Sequence, residues 1–204
     1  RKLSNISDNP TFKSLVSAFE NYDFYDDPMI DSIYPVINED SFIIQIIGSP
    51  SAKSYWDLEY HQELRYKPAT ENIVNLAQTL AGQLKSEFPG SVWFKGHYVC
   101  LHPTGQQSMH IDGPYWQRHA HRIVVPIITN PNAVIHTEDG PVHMEQGQLY
   151  ELNVLRKHGS VNMGKNIRVH LFLDYIPLTS WKLVEEHYKN KQAPRTGHPT
   201  VANN

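Results

Sequence analysis

From Ser91 onward the chain is divided into short apolar runs separated by turn residues, and this punctuation constrains the fold more than any other feature of the sequence. The runs fall at 92–102, 121–129, 133–137, 148–153 and 167–176, with Pro103-Thr104-Gly105, Asn130-Pro131-Asn132 and Asp139-Gly140-Pro141 between them. Runs of this length at this spacing, bounded by proline, glycine and asparagine, are the pattern of a β-sandwich or jelly roll. The last run also says which way it faces. Strand side chains alternate, so Val169, Leu171 and Leu173 share one side while Arg168, His170, Phe172 and Asp174 share the other. A mixed, basic face turned into a small barrel lines a ligand cavity rather than a plain core.

The first 90 residues read as mixed structure. Apolar residues at 12, 15, 16 and 19 form a helical stripe, and 42–47 reads as a buried strand ended by Gly48-Ser49-Pro50. The segment 23–35 is acidic, aromatic and broken by Pro28 and Pro35, as expected of a loop or lid. The clearest helix spans 69–88, where Ile73, Leu76, Ala77, Leu80, Leu84 and Phe88 fall on one face; Thr70 is placed to cap it and Pro89-Gly90 to stop it. It is expected to brace a sheet. A short helical segment is expected at 182–188. At 204 residues the chain has the size of one domain, read here as 1–190, with a mixed part at 1–90, a β-helix core at 91–178 and a disordered polar tail at 191–204.

Composition narrows the function classes. Eighteen basic and 21 acidic residues, spread along the chain with a formal net charge of −3, provide no extended basic surface to track a phosphate backbone, which argues against nucleic acid. The lone Cys100 excludes an intramolecular disulfide framework. No run approaches the ~20 apolar residues of a membrane span, and no signal-peptide pattern follows Arg1, so a cytoplasmic location and no membrane partner are expected. Histidine is the outlier: nine of twelve lie between His97 and His170, which directs attention to metal chemistry.

His110-Ile111-Asp112 places an imidazole and a carboxylate two residues apart, on one side of an extended segment. By itself this pair is also what two unrelated polar loop residues look like. A third ligand from another strand would complete one face of an octahedron, and His158 is the candidate. Two histidines and one carboxylate leave three positions open, an arrangement associated with non-haem Fe(II) oxygenases rather than closed structural zinc sites.

The order His102-Pro103, His110-Ile111-Asp112, Arg122-Ile123-Val124-Val125-Pro126, His158-Gly159-Ser160-Val161-Asn162 and Arg168-Val169-His170-Leu171 resembles the aspartyl/asparaginyl β-hydroxylase family, including proline cis-4-hydroxylase-like enzymes. The resemblance covers about residues 92–178. It implies a double-stranded β-helix (jelly-roll, cupin-like) core with flanking helices. It further implies an Fe(II)- and 2-oxoglutarate-dependent dioxygenase that uses O2 to hydroxylate an amino-acid side chain, peptidyl or free, with release of succinate and CO2. On this resemblance His110, Asp112 and His158 match the iron ligands, Arg168 matches the partner of the distal C5 carboxylate of 2-oxoglutarate, and Arg122 matches a residue near its C1 end. A planar guanidinium suits either carboxylate, and a buried arginine without an anion is costly.

Two positions depart from the family. Animal β-hydroxylases lack the metal-binding carboxylate that Asp112 supplies here, and with it in place no coordination position is freed for chloride, which favours hydroxylation over halogenation. Val124 stands where they have a histidine touching the cosubstrate; His170, on the same side as Arg168, is a candidate replacement. The loop 113–119 follows the metal pair directly, and its Trp116 and Arg118 are candidate contacts to a carboxylate-bearing amino-acid or peptide substrate. Asn162 is a candidate to orient the segment after His158. Competing readings are an oxygenase for a nucleobase or small metabolite, a non-catalytic metal-binding cupin and a zinc-dependent isomerase. The paired Arg122 and Arg168 favour the oxygenase, since a generic cupin needs no dicarboxylate anchor.

Overall fold

The structure is a computed structural model that describes residues 1–22, 41–47 and 68–192. The expected lid at 23–35 lies outside the described residues, as does the expected tail beyond Gln192. In chain order the described elements are β1 (Lys2–Asn5), α1 (Pro10–Glu20), β2 (Ser41–Ile47), α2 (Pro68–Leu84), β3 (Ser91–Leu101), β4 (Gln106–His110) and β5 (His121–Ile128). There follow β6 (Ala133–Thr137), β7 (Gly140–His143), β8 (Gln148–Leu152), β9 (His158–Asn162), β10 (Arg168–Pro177) and α3 (Leu178–Gln192).

Two antiparallel sheets face each other. One has the order β1-β8-β5-β10-β3-β2 and the other β4-β9-β6-β7. The eight consecutive strands β3 to β10 thus divide four and four, and their inner orders, β8-β5-β10-β3 against β4-β9-β6-β7, wind as a double-stranded β-helix. The chain is mainly β with flanking helices, as expected.

Strand β10 shows why the larger sheet is stable in the middle of the molecule. All of its residues except Pro177 are buried, because both faces are covered. Val169, Leu171, Leu173 and Tyr175 join Leu15, Phe19, Leu80 and Ala81 in a core between the sheet and helices α1 and α2. Tyr98 and Tyr175 donate from their hydroxyls to the carbonyls of Ile73 (3.2 Å) and Ala81 (2.8 Å), fastening α2 to the strands beneath it. The opposite face turns toward the second sheet, where Val99, Val124, Ile135, Tyr150, Leu152 and Phe172 fill the barrel interior.

Several boundaries differ from expectation for local reasons. Helix α2 begins at Pro68 rather than 69, because proline suits the first helical position, so Thr70 lies buried within the first turn rather than ahead of it. Its last turn tightens into a 3-10 turn at Lys85–Glu87 before Gly90, at φ 73°, lets the chain reverse. Helix α3 is longer at both ends than the expected 182–188 and takes in the first two residues of the expected tail. Strands β1, β4, β7 and β9 have no counterpart among the expected runs; each is four or five residues long, and none carries a continuous apolar run. Among the described residues no helix is long and apolar enough to cross a membrane.

Candidate metal centre

Strands β4 and β9 pair antiparallel, and the register sets His110, the last residue of β4, directly opposite His158, the first of β9. Their ring centroids are 4.4 Å apart. Asp112 follows β4, held by its backbone N–H donating to the Val154 carbonyl at 3.1 Å. One ligand atom from each of His110, Asp112 and His158 lies within 4.8 Å of the others. The two residues read as a sequence-local pair and the distant histidine are therefore brought together by the sheet.

Both imidazoles are held the same way. His110 Nδ1 lies 2.8 Å from the Ser108 carbonyl, and His158 Nδ1 lies 3.0 Å from the Arg156 carbonyl. A carbonyl only accepts, so each Nδ1 carries a proton, and in the neutral ring Nε2 is the nitrogen that offers a lone pair to a metal. The two Nε2 atoms approach Asp112 Oδ1, at 3.3 Å from His110 and 3.9 Å from His158. Burial lowers the pKa of His158, favouring the neutral ring a metal needs, while the hydrogen bond with Asp112 raises that of His110. Burial pushes the Asp112 carboxyl up, but the hydrogen bond from His110 and the charges of Arg122 and His158 outweigh it and hold the group at about 2.

The loop leading into His158 is clamped from outside. Arg156 forks onto Asp139 at 2.7 and 3.0 Å and reaches Glu138 at 2.9 Å, and Glu138 accepts the Lys157 N–H at 3.0 Å. Asn162 lies at the other end of β9. Its amide donates to the carbonyls of Leu101, His102 and Asn166, so it fastens the far end of the strand that begins at His158.

The arginines have different surroundings. Arg122 is buried and gives Nε and Nη2 to the two oxygens of Asp174 (2.9 and 3.0 Å) and Nη1 to Asp112 Oδ2 (2.5 Å). Its fork is engaged by two protein carboxylates, and it lies in the wall of the cavity that His110, Asp112 and His158 also line. Arg168 is the opposite case. Only 1% exposed, it leaves Nε and Nη1 without a hydrogen-bond partner, and Nη2 makes one long contact of 3.4 Å to the Val99 carbonyl. Burial pulls its pKa down to about 10. His170, next on the same inward face, is also buried with both ring nitrogens unpartnered. Val124, the departure from the family pattern, is a packed member of the barrel interior.

Two cavities adjoin at His158, and one of them also reaches His110 and Asp112. The inner one, about 380 Å³, includes His97, His110, Asp112, His158, Ser160 and Phe172 in its wall. The outer cleft, about 800 Å³, shares Gln117, Arg122, Leu152 and His158 with it and carries Arg118 and Lys157 on its wall. Arg118 is exposed there, as a substrate contact would be. Trp116 is not: at 2% exposure it packs on Phe94 and belongs to a cluster with Ile176, Val184 and Tyr188, so the expected aromatic plate is part of the core. Sequence reasoning also missed Asp174 and Gln117. Asp174 carried a legible signal, an acidic residue on the inward face of an otherwise apolar strand; Gln117 carried none.

Gly159 lies against β4 so closely that a Cβ would stand 2.7 Å from the Gln107 carbonyl and 3.1 Å from the Met109 nitrogen. These are backbone atoms that cannot swing away. Gly159→Ala is expected to destabilise the protein by about 1–3 kcal/mol and to weaken metal binding by displacing His110 from His158, measurable by thermal melts with a parallel metal titration.

Fold and site together define a class: a double-stranded β-helix with two histidines and one carboxylate gathered in the wall of one cavity. No family model matches the chain, and no curated protein sequence does. Among solved structures it is similar to a 2OG-Fe(II) oxygenase family oxidoreductase from Burkholderia pseudomallei, at 14% identity over 81% of this chain and 77% of that one, with a TM-score of 0.49. A cupin domain from Bordetella pertussis Tohama I matches at 20% identity over 43% of this chain and 94% of that one, TM-score 0.32. The non-heme monooxygenase ThoJ, in its nickel complex, matches at 20% identity over 54% of this chain and 50% of that one, TM-score 0.37.

Proposed function

We propose that this chain is an Fe(II)- and 2-oxoglutarate-dependent dioxygenase of the aspartyl/asparaginyl β-hydroxylase type, which hydroxylates an amino-acid side chain, peptidyl or free. The observation that carries this reading is the unpaired guanidinium of Arg168, buried in the same barrel as His110, Asp112 and His158. A buried charge without a partner costs several kcal/mol, and an anionic ligand is what would offset it. A ligand with carboxylates at both ends, held by Arg168 at one end and by the metal at the other, supplies that anion.

The donor set fits the group. Two neutral imidazoles and a carboxylate suit Fe(II), and three ligands on one face leave room for cosubstrate and dioxygen. Iron with 2-oxoglutarate and O2 supplies an oxidant able to hydroxylate an unactivated C–H bond, the cosubstrate leaving as succinate and CO2. His110, Asp112 and His158 would hold the metal, Arg168 the far carboxylate, and His170 beside it a further oxygen. The outer cleft is open to the prime substrate, with Arg118 placed to meet its carboxylate or amide.

The test is binding before turnover. Under nitrogen, 2-oxoglutarate should bind the Fe(II)-loaded chain far more tightly than the metal-free one, and in air succinate should form. A chain that binds metal but neither 2-oxoglutarate nor a substrate is a non-catalytic cupin. A panel of free amino acids, short peptides and single-stranded oligonucleotides, screened for gain of one oxygen, separates the amino-acid reading from the nucleobase one. On the substrate so found, Arg118→Gln should raise KM about tenfold or uncouple succinate release from product, with 2-oxoglutarate affinity unchanged. An unaltered KM and coupling ratio would remove Arg118 from the substrate site.

A further inference from the structure

The engaged arginine beneath the metal centre belongs to a longer arrangement. Lys95 on β3, Asp174 on β10 and Arg122 on β5 are in register across three adjacent strands, and all three are buried. Arg122 then reaches Asp112, so charges of alternating sign run from the sheet to the candidate ligand. The guanidinium has little freedom. Asp174 takes two of its nitrogens, Asp112 takes a third, and the Trp116 and Phe172 rings each lie 5.8 Å from its central carbon.

Such a row is a poor way to stabilise a fold. A buried ion pair typically gains no more than well-packed apolar residues of the same volume would, because desolvation offsets the Coulomb attraction. Its geometry at the far end is specific. Asp112 Oδ2 accepts from Arg122 Nη1 and from Gln117 Nε2 (2.9 Å), while Oδ1 faces the Nε2 atoms of His110 and His158. One oxygen is occupied by protein donors and the other is presented to the imidazoles.

We propose that Asp174 is a positioning residue: acting through Arg122, it turns the Asp112 carboxylate so that Oδ1 alone is offered to a metal held by His110 and His158. A one-oxygen carboxylate keeps the third adjacent coordination position open, which a two-oxygen mode would close. Without Asp174 the guanidinium is left with Asp112 as its anionic partner, can turn its fork onto both oxygens, and competes with the metal. The inference rests on the reading of the three residues as metal ligands.

The experiment is a Co(II) titration, followed by visible absorption and by thermal melts, of the parent, Asp174→Asn, Arg122→Met and the double variant. Asp174→Asn should weaken Co(II) binding about 10- to 100-fold and change the Co(II) spectrum. Arg122→Met should cost at least as much, and the double variant no more than Arg122→Met alone, since Asp174 then has nothing to act through. A merely structural Asp174 would instead lower the melting temperature of the metal-free protein and leave the spectrum of the bound metal alone. Unchanged affinity and spectrum in Asp174→Asn, or a loss that persists undiminished beside Arg122→Met, overturns the proposal. If Asp174→Asn does not fold, Gln117→Leu, which removes the other donor to Oδ2 without stranding a charge, takes its place; an unaltered spectrum there overturns the choice of oxygen. A parent that binds no Co(II) overturns the metal reading itself, whereas a parent that binds beside variants that bind alike overturns the positioning role alone.

Discussion

Replacing His158 by alanine should abolish stable Fe(II) binding and all turnover while leaving a folded protein. On the proposed function the metal loses one of its three ligands, and that loss should exceed the roughly 10- to 100-fold cost typical of disturbing a residue that only supports a ligand. The fold should survive because His158 contributes to β9 through its backbone, paired with His110 on one side and Thr137 on the other, and alanine keeps that ladder. The side chain's one described hydrogen bond, to the Arg156 carbonyl, amounts to about 1 kcal/mol. Circular dichroism melts of the metal-free variant should therefore lie close to those of the parent, with equilibrium dialysis against Fe(II) separating them completely. His110→Ala and Asp112→Ala should behave alike. A His158→Ala protein that retained iron and succinate formation at the parent's level would remove it from the centre.

The parts of the fold that could be read from the sequence are those where one physical demand dominates. Strands β5, β6, β8 and β10 are apolar runs between strong turn residues, and each lies within two residues of its expected place at either end. Helix α2 carries an unbroken stripe. The missed strands have no such signal: Gln106–His110 and His158–Asn162 are polar sequences whose extended conformation comes from pairing with each other. No local propensity specifies that pairing; it forms once the larger sheet is in place. The same reason limits the site. His110 and Asp112 were legible as a pair, and Arg168 as an inward cation, because alternation along one strand is a local rule. That Arg122 would spend its fork on Asp112 and Asp174 depends on register between strands far apart in sequence, and that Trp116 would be buried depends on α3 packing across it.

Arg168→Met should have effects of opposite sign on binding and on stability. In the ligand-free protein the guanidinium is a buried charge with two nitrogens unpaired, and its depressed pKa, about 10, reflects that burial. Methionine fills similar volume without a charge, so the metal-loaded, cosubstrate-free variant should be as stable as the parent or more so, by up to about 1–4 kcal/mol. If Arg168 holds the far carboxylate as proposed, the same change removes a charge-assisted, two-pronged contact, about 2–4 kcal/mol of 2-oxoglutarate binding. Affinity should fall by roughly 30- to 1000-fold. Thermal melts with Mn(II) in place of iron read both at once, because a ligand bound only to the folded state stabilises it by about 2.7 kcal/mol at a hundred times its dissociation constant. The parent should melt lower than the variant without 2-oxoglutarate and gain strongly when it is added, while the variant should barely respond. Succinate, which keeps the far carboxylate but lacks the keto acid end, should give the parent a smaller gain that Arg168→Met also loses. If instead the variant melts well below the parent and responds to 2-oxoglutarate as the parent does, Arg168 is a structural cation and the cosubstrate reading loses its main support.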